Sequence, residues 1–255
     1  MKQFILLWLL ASFAMDAHAD CHSSGISVFP NGSTLRQNSI LVIEGYGTSQ
    51  KIISGLNSTY PVYLKSGDKR VELVVKETLV GQFLLTQAVL QPSHLLETGL
   101  TYTLVIENMP SSEVYGRYDP ETRKWKQLTF TVISGNDTTS PVVTGKPVEI
   151  RKSFIWYGCG PQKWVIFSCP VSDSSAFMVR TTVKDLTSGK ETTYLLDPMN
   201  TEVIVGHDMC SGAFHFPGDE NYEVSFSYMD ASGNVTSPTE WIKFSEPVPA
   251  DGEGD

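Results

Sequence analysis

The sequence predicts an all-β protein built of two β-sandwich domains, and three observations lead to this prediction. Apolar and polar residues alternate with a period of two in segment after segment of the chain. Turn-forming residues separate these segments at short intervals, a spacing typical of sandwiches and barrels. Beyond residue 19, no segment carries the long apolar stripe of a helix. We therefore expect short antiparallel strands throughout.

Residues 1–19 are predicted to be a secretory signal peptide. Lys2 precedes an apolar run over residues 4–15, and Ala17-His18-Ala19 supplies the small-x-small pattern that a signal peptidase cleaves. The apolar run is too short to cross a bilayer, and no later stretch is long enough to do so. A lipoprotein would be acylated at Cys21, but Asp20 fits such a site badly. We expect an exported protein, periplasmic or secreted, that has no membrane span.

The charge of the chain excludes two classes of partner. The sequence has 28 acidic and 19 basic residues, which gives a formal net charge of −9. Such a chain is not expected to bind nucleic acid or anionic lipid through electrostatic attraction. No nucleotide or cofactor motif is present in the sequence. We therefore predict no cofactor.

The first predicted domain spans residues 20–134. Its candidate strands are 40–44, 61–65, 71–77, 83–90, 102–107 and 128–133, with turn residues such as Asn31-Gly32 and Ser66-Gly67-Asp68 between them. Residues 111–126 fit no strand and leave the last connection of this domain unassigned.

The second predicted domain spans residues 142–245. Its candidate strands are 164–169, 177–185, 191–196, 202–205, 213–216, 222–229 and 240–244. The polar, turn-rich segment 135–141 is predicted to be the linker between the domains. The alternative is a single large sandwich with a polar loop at this point. Residues 246–255 combine acidic residues, Pro and Gly, and are predicted to form a disordered acidic tail.

Several motifs carry a resemblance to a known family. The segment Asp137-Thr-Thr-Ser-Pro-Val-Val-Thr resembles the junction between bacterial immunoglobulin-like domains, and Tyr228-Met-Asp-Ala-Ser-Gly-Asn-Val-Thr resembles their last hairpin. Tyr102 and Tyr222 each follow a turn glycine at the head of a strand, as does the corner tyrosine of immunoglobulin-like sandwiches. The resemblance implies two tandem Ig-like domains of a bacterial cell-envelope protein, in which each corner hydroxyl bonds back to the backbone.

All four cysteines lie beyond the predicted signal peptide. In an oxidising compartment an even number of cysteines indicates disulfides. Cys159 and Cys210 both lie in turn-like sequence, so we predict that they pair, which would stabilise the fold by roughly 4 kcal/mol. Cys169 ends an apolar strand, and we leave it open as a buried thiol or as the partner of Cys21.

Other candidate sites have weaker patterns. His207 with Cys159, Cys169 and Cys210 supplies zinc-ligand types but lacks paired Cys-x-x-Cys spacing. Calcium ligands are available at two loops, Asp230 with Asn234 and Asp208 with Asp219, but capping of the turns is the plainer interpretation. His215 is expected to face outward from a strand. A Gly-x-Ser-x-Gly nucleophile motif is missing from the sequence, so we predict no catalytic residue.

The best candidate for a binding loop is the aromatic segment that contains Tyr115, Tyr118 and Trp125. A long loop without a strand pattern is a common place for recognition residues. We predict a non-enzymatic structural, adhesive or binding protein, whose partner is another envelope protein or a surface glycan. The alternatives are an exported hydrolase with a site built from loops, and a periplasmic carrier of a ligand or metal.

Overall fold

Strands dominate the chain, whose computed structural model describes residues 24–218 and 221–249. Within these ranges there is one α-helix, α1 (Gln50–Ser54), which follows a single 3-10 turn. The predicted all-β class is confirmed. The predicted signal peptide and Cys21 lie outside the described residues.

The strands before residue 135 form one eight-stranded sheet and one small hairpin. They are β1 (Gly25–Phe29), β2 (Thr34–Leu35), β3 (Leu41–Tyr46), β4 (Val62–Ser66), β5 (Lys69–Val80), β6 (Leu85–Pro92), β7 (Thr101–Ile106), β8 (Arg117–Asp119), β9 (Lys124–Lys126) and β10 (Thr129–Val132). Eight of them follow the order β1-β3-β6-β5-β4-β7-β10-β2, while β8 and β9 form a separate hairpin. Only the β10–β2 pair in this set is parallel.

The long strand β5 converts this sheet into a sandwich. Its first residues pair with β4, the rest pair with β6, and a bulge interrupts the register between Val75 and Glu77. A bulge bends a strand and increases its twist. Leu41 of β3 and Leu64 of β4 are not on neighbouring strands, yet both belong to one buried cluster. The two ends of the sheet therefore face each other across a shared core.

The second half of the chain forms two further main sheets. Its strands are β11 (Val142–Val143), β12 (Glu149–Tyr157), β13 (Gly160–Ser168), β14 (Val171–Ser172), β15 (Phe177–Asp185), β16 (Glu191–Leu196), β17 (Glu202–His207), β18 (Asn221–Asp230) and β19 (Ile242–Ser245). The sheets are β12-β13-β17 and β16-β15-β18-β19, with β11 and β14 paired separately. The Phe167 ring of the first sheet contacts Phe226 and Phe244 of the second, with centroids 5.4 and 5.7 Å apart.

Several residues of the first half are buried in the hydrophobic core of the second half. Leu41 and Ile43 on β3 point into the first core, whereas Val42 between them belongs to the cluster formed by the second half. Val89 on β6 also belongs to the cluster formed by the second half. Burial on both faces explains why the run of residues 40–43 is continuously apolar instead of alternating. The contact is made by side chains, because every pairing between the named strands joins strands on the same side of residues 135–141.

Hydrogen bonds tie the segment 135–141 to both halves. The Asn38 side chain donates to the Asp137 carbonyl at 2.6 Å and accepts from the Asp137 N–H at 3.0 Å. From the other half, the Asn234 amide donates to the same carbonyl at 3.1 Å. The predicted linker thus runs along the join between the two halves.

Four expectations from the sequence are corrected. Residues 111–126 contain the β8–β9 hairpin instead of lacking strands. Residues 213–216 form no strand. The nine-residue β12 was not predicted, because most of its residues are exposed and show no alternation of burial. Glu246 is buried and ion-paired with Lys163, so it does not belong to a disordered tail.

Candidate functional site

The predicted binding loop is a short hairpin that displays two aromatic rings. Tyr118 on β8 lies directly opposite Trp125 on β9, and their ring centroids are 5.5 Å apart in an edge-on arrangement. The two residues keep 49% and 53% of their surface exposed. Rings that meet across a hairpin support each other's orientation. The structure therefore brings Tyr118 and Trp125 together on the surface.

Tyr115 has a different role from the other two aromatic residues. Its hydroxyl accepts a hydrogen bond from the Ile106 N–H at 3.0 Å and donates one to the Leu104 carbonyl at 3.3 Å. The ring is half-buried against the first core, and burial raises the pKa of the phenol. Tyr115 thus anchors the hairpin to β7 and does not join the exposed pair.

Polar contacts fix the shape of the hairpin. Asp119 accepts from the backbone N–H groups of Glu121 and Thr122 at 2.9 and 3.3 Å, and it forms an ion pair with Lys126. The contact with Lys126 holds the pKa of this carboxyl well below its usual value. At the base, the Arg117 guanidinium donates to the carbonyl of Asn31 at 2.7 Å. A surface ordered in this way loses less conformational entropy when it binds a partner.

The predicted disulfide pairs are wrong. Cys159 and Cys169 are both free thiols, so neither the pair Cys159–Cys210 nor the pair Cys21–Cys169 forms. Cys210 is disulfide-bonded. Cys169 is buried in the second core, and burial raises its pKa to about 11, which keeps it a thiol at neutral pH.

The metal alternatives receive no support from the described residues. In these parts of the chain, no group of three or more His, Cys, Asp or Glu side chains is placed to bind a metal ion, so the set of His207 with the cysteines is not assembled. Asp230 uses its two carboxylate oxygens to accept from Ser232, from the Asn234 backbone and from the Asn234 amide, which caps its own turn. Asp219 lies outside the described residues.

Sequence reasoning missed a cleft between the two halves. Its volume is about 680 Å³, and it lies between the outward face of β1, β3 and β6 and the β16–β17 side of the second half. Glu44 on β3 is part of its wall, where its Oε2 accepts from the Tyr194 hydroxyl at 3.0 Å and from the Gln87 amide at 2.8 Å. Burial raises the pKa of Glu44. The cleft is therefore built around a desolvated carboxyl group.

Near the cleft, the Phe83 ring of the first half contacts two histidine rings of the second half. Phe83 and Gly212 exchange backbone hydrogen bonds of 3.1 and 2.7 Å. The Phe83 ring lies 5.8 Å from His207 and 5.6 Å from His215, measured between centroids. His207 is buried, whereas His215 is exposed as expected but stands outside any strand. Both histidines are thus part of the contact between the halves.

The corner tyrosine expected from the immunoglobulin-like resemblance is present in the first half. The Tyr102 side chain is buried, and its hydroxyl accepts from the Glu97 backbone N–H at 3.4 Å. Tyr222 is also buried, and its ring packs against Phe216 and Phe244.

The part of the chain that the structure describes contains no helix of the length and apolar character needed to cross a bilayer. No protein-family model matches the sequence, and no curated protein matches it either.

Solved structures similar to this chain differ widely in kind. A type I pullulanase from Bacillus subtilis, solved with maltose, has 11% identity over 88% of this chain and 25% of its own, with a TM-score of 0.26. The N-terminal part of the bacterial S-layer protein SbsC has 13% identity over 88% of this chain and 44% of its own, with a TM-score of 0.26. The tandem Ig repeats of Dlar have 8% identity over 85% of this chain and 96% of their own, with a TM-score of 0.23. This chain thus spans about a quarter of the pullulanase, and scores this low identify neither a family nor an activity.

Proposed function

We propose that this chain is a non-enzymatic, exported binding protein that uses the Tyr118–Trp125 hairpin to bind another protein of the cell envelope. The observation that carries the proposal is the pair of exposed rings on a hairpin whose base and turn are fixed by Tyr115, Arg117 and Asp119. Exposed aromatic surface on an ordered element is costly to leave in water and gives affinity at low entropic cost. Export rests on the predicted signal peptide.

The residues around the two rings favour a protein over a surface glycan as the partner. Trp, Tyr and Arg are the residue types that dominate the binding energy of protein interfaces. Here Tyr118 and Trp125 are accompanied by Arg123 and Lys124, both exposed, in a protein whose net charge is −9. A local basic edge on an acidic molecule orients a partner that carries carboxylates. We therefore propose a partner with an acidic, partly apolar surface.

The proposal can be tested by photo-crosslinking in extracts of the native envelope. A photoreactive residue at Glu121, in the exposed turn of the hairpin, should give one discrete protein adduct, and the same residue at Asp68 should not. Trp125→Ala should remove the adduct. Trp156→Ala is the matched control because Trp156 is 69% exposed on β12, a strand of the second half, and this variant should retain the adduct.

Three results would contradict the proposal. An adduct that survives Trp125→Ala, or one that Trp156→Ala removes, would move the binding surface away from the hairpin. A glycan array on which the wild type binds and Trp125→Ala does not would keep the hairpin as the site but replace the protein partner by a surface glycan.

A further inference from the structure

The cleft between the two halves has an unbalanced charge. Three carboxyl groups line it, with Glu44 in the wall and the exposed Asp197 and Asp208 at the rim. The lining residues include no Lys or Arg within the described parts of the chain. Burial is the main cause that raises the pKa of all three carboxyl groups. Carboxyl groups that line a cleft without a cation are the arrangement that a positively charged ligand stabilises.

A fourth lining residue, His207, carries an acceptor atom that has no hydrogen-bond partner. The His207 Nδ1 lies 2.9 Å from the Asp208 carbonyl oxygen, and because a carbonyl only accepts, Nδ1 carries the ring proton. Burial lowers the pKa of His207, so the ring is neutral near neutral pH and Nε2 presents a lone pair. His207 is 4% exposed, and its Nε2 has no hydrogen-bond partner. A buried polar atom of this kind indicates a missing donor.

The remaining walls are largely apolar. Leu85 and Met178 contribute aliphatic surface from the two halves, and the half-buried rings of Tyr46 and Trp164 flank the space. Aromatic faces attract cations as well as hydrocarbon. A volume of about 680 Å³ suits a small molecule.

We infer that the cleft binds a small organic cation that carries N–H donors on an apolar body, such as a primary alkylammonium. The carboxylates supply charge complementarity, the unpartnered His207 Nε2 supplies an acceptor for one N–H group, and the apolar walls cover the alkyl chain. This site is separate from the hairpin, so the inference does not depend on the proposed protein partner.

Calorimetric titration with four probes that share a linear six-carbon chain tests this inference on the whole folded protein. Hexylammonium should bind. Hexanol and hexanoate test the need for positive charge, and hexyltrimethylammonium tests the need for N–H donors. We expect the neutral and anionic probes to give no measurable heat and the methylated cation to bind several-fold more weakly than hexylammonium. A short lysine peptide, added as a fifth titrant, distinguishes a free amine from a peptide side chain.

Substitutions at the rim locate the site without disturbing the core. Asp197→Asn and Asp208→Asn should each weaken hexylammonium binding by roughly threefold to tenfold, because each removes one exposed or partly exposed charge. Asp68→Asn, an equally exposed carboxylate at the β4–β5 turn, should leave it unchanged. Trp125→Ala should also leave it unchanged, which separates the cleft from the hairpin.

Four outcomes would overturn the inference. The first is no heat with hexylammonium, and the second is equal binding of hexanol, which would make the cleft a purely apolar pocket. The third is equal loss of affinity in Asp68→Asn and Asp197→Asn, which would show general electrostatic attraction to an acidic surface. Binding of the lysine peptide without the free amine would replace the small-molecule ligand by a basic segment of a protein.

Discussion

The Gln87 side chain bonds to the backbone of Leu195 as a neighbouring strand would. Its Nε2 donates to the Leu195 carbonyl at 2.8 Å, and its Oε1 accepts from the Leu195 N–H at 3.1 Å. Leu195 lies on β16 of the second half and Gln87 on β6 of the first, and both are about 1% exposed. This amide therefore satisfies two buried backbone groups across the join between the halves.

Replacing Gln87 by Ala should destabilise the protein more than any exposed substitution on the same strand. The change leaves the Leu195 N–H and carbonyl buried without partners, and each unsatisfied group costs about 1–3 kcal/mol. Urea unfolding of Gln87→Ala should show a lower midpoint than the wild type. Gln91→Ala, at an exposed position of β6, is the control and should change the free energy of unfolding by less than about 0.5 kcal/mol. Equal midpoints for the two variants would contradict a role for the Gln87–Leu195 contact.

An ion pair between Arg180 and Glu77 also links the two halves. Two guanidinium nitrogens donate to two carboxylate oxygens at 2.7 and 2.6 Å. Both side chains are about one-third exposed, so we expect a coupling energy of only about 1 kcal/mol. Arg151 and Glu202 form a similar bidentate pair within the second half, but Arg151 is more exposed at 55%. Double-mutant cycles should give a larger coupling for Arg180–Glu77, and a larger value for the Arg151–Glu202 pair would contradict this ranking.

The same ion pair should also contribute to acid sensitivity. The hydrogen bond from Arg180 lowers the pKa of Glu77 below its usual 4.5. A carboxyl group of this kind stabilises the folded state above its unfolded pKa, and the contribution disappears as the pH falls through the folded value.

Acidification from neutral pH should weaken the protein through the two histidines at the join. Burial is the largest cause that lowers the pKa of both His207 and His215 below 6.5, with Lys163 acting in the same direction and Glu246 opposing it. The unfolded chain therefore binds protons before the folded chain does, so stability falls as the pH drops below about 6.5. Urea midpoints measured over roughly pH 5 to 8 should decline less in His207→Gln than in the wild type.

A control histidine separates this effect from general acid sensitivity. His94 is exposed, lies on the first half and contacts Ser93, so His94→Gln should keep the wild-type decline. The carboxyl groups of Glu44, Asp208 and Asp230 have raised pKa values and act in the opposite sense, since the folded state takes up their protons first. They titrate in every variant, so the difference from the wild type isolates His207.

The sequence pattern predicted the strands well where one face of a strand is buried. Residues 177–185 and 191–196 were predicted with the same bounds that β15 and β16 have, because alternation in these segments follows the two faces of the sheet. Strand β12 was missed because Glu149–Tyr157 is an edge strand with little burial on either face. Hairpin β8–β9 was missed because its strands are three residues each and carry mainly polar residues.

The join and its cleft were not predicted for a different reason. Gln87 and Glu44 occupy positions that, in a lone sandwich, would face solvent, so their polar character suggested nothing unusual. The signal available in the sequence was the continuous apolar run of residues 40–43, which indicates burial on both faces of a strand. That pattern shows that a second surface covers β3, but it cannot show which one. The partner strand lies about 150 residues away along the chain, as the Tyr194–Glu44 hydrogen bond illustrates.

Thiol chemistry should distinguish the cysteines by burial. Cys159 is partly exposed and free, whereas Cys169 is 3% exposed with a pKa raised to about 11 by burial. Because the thiolate is the reactive form, a maleimide should label Cys159 in the folded protein and Cys169 only after unfolding. Cys210 is disulfide-bonded, so it should not react with the maleimide before reduction. Peptide mapping without reductant should recover the Cys159 and Cys169 peptides unlinked, and a peptide that joins Cys159 to Cys210 would contradict the assignment.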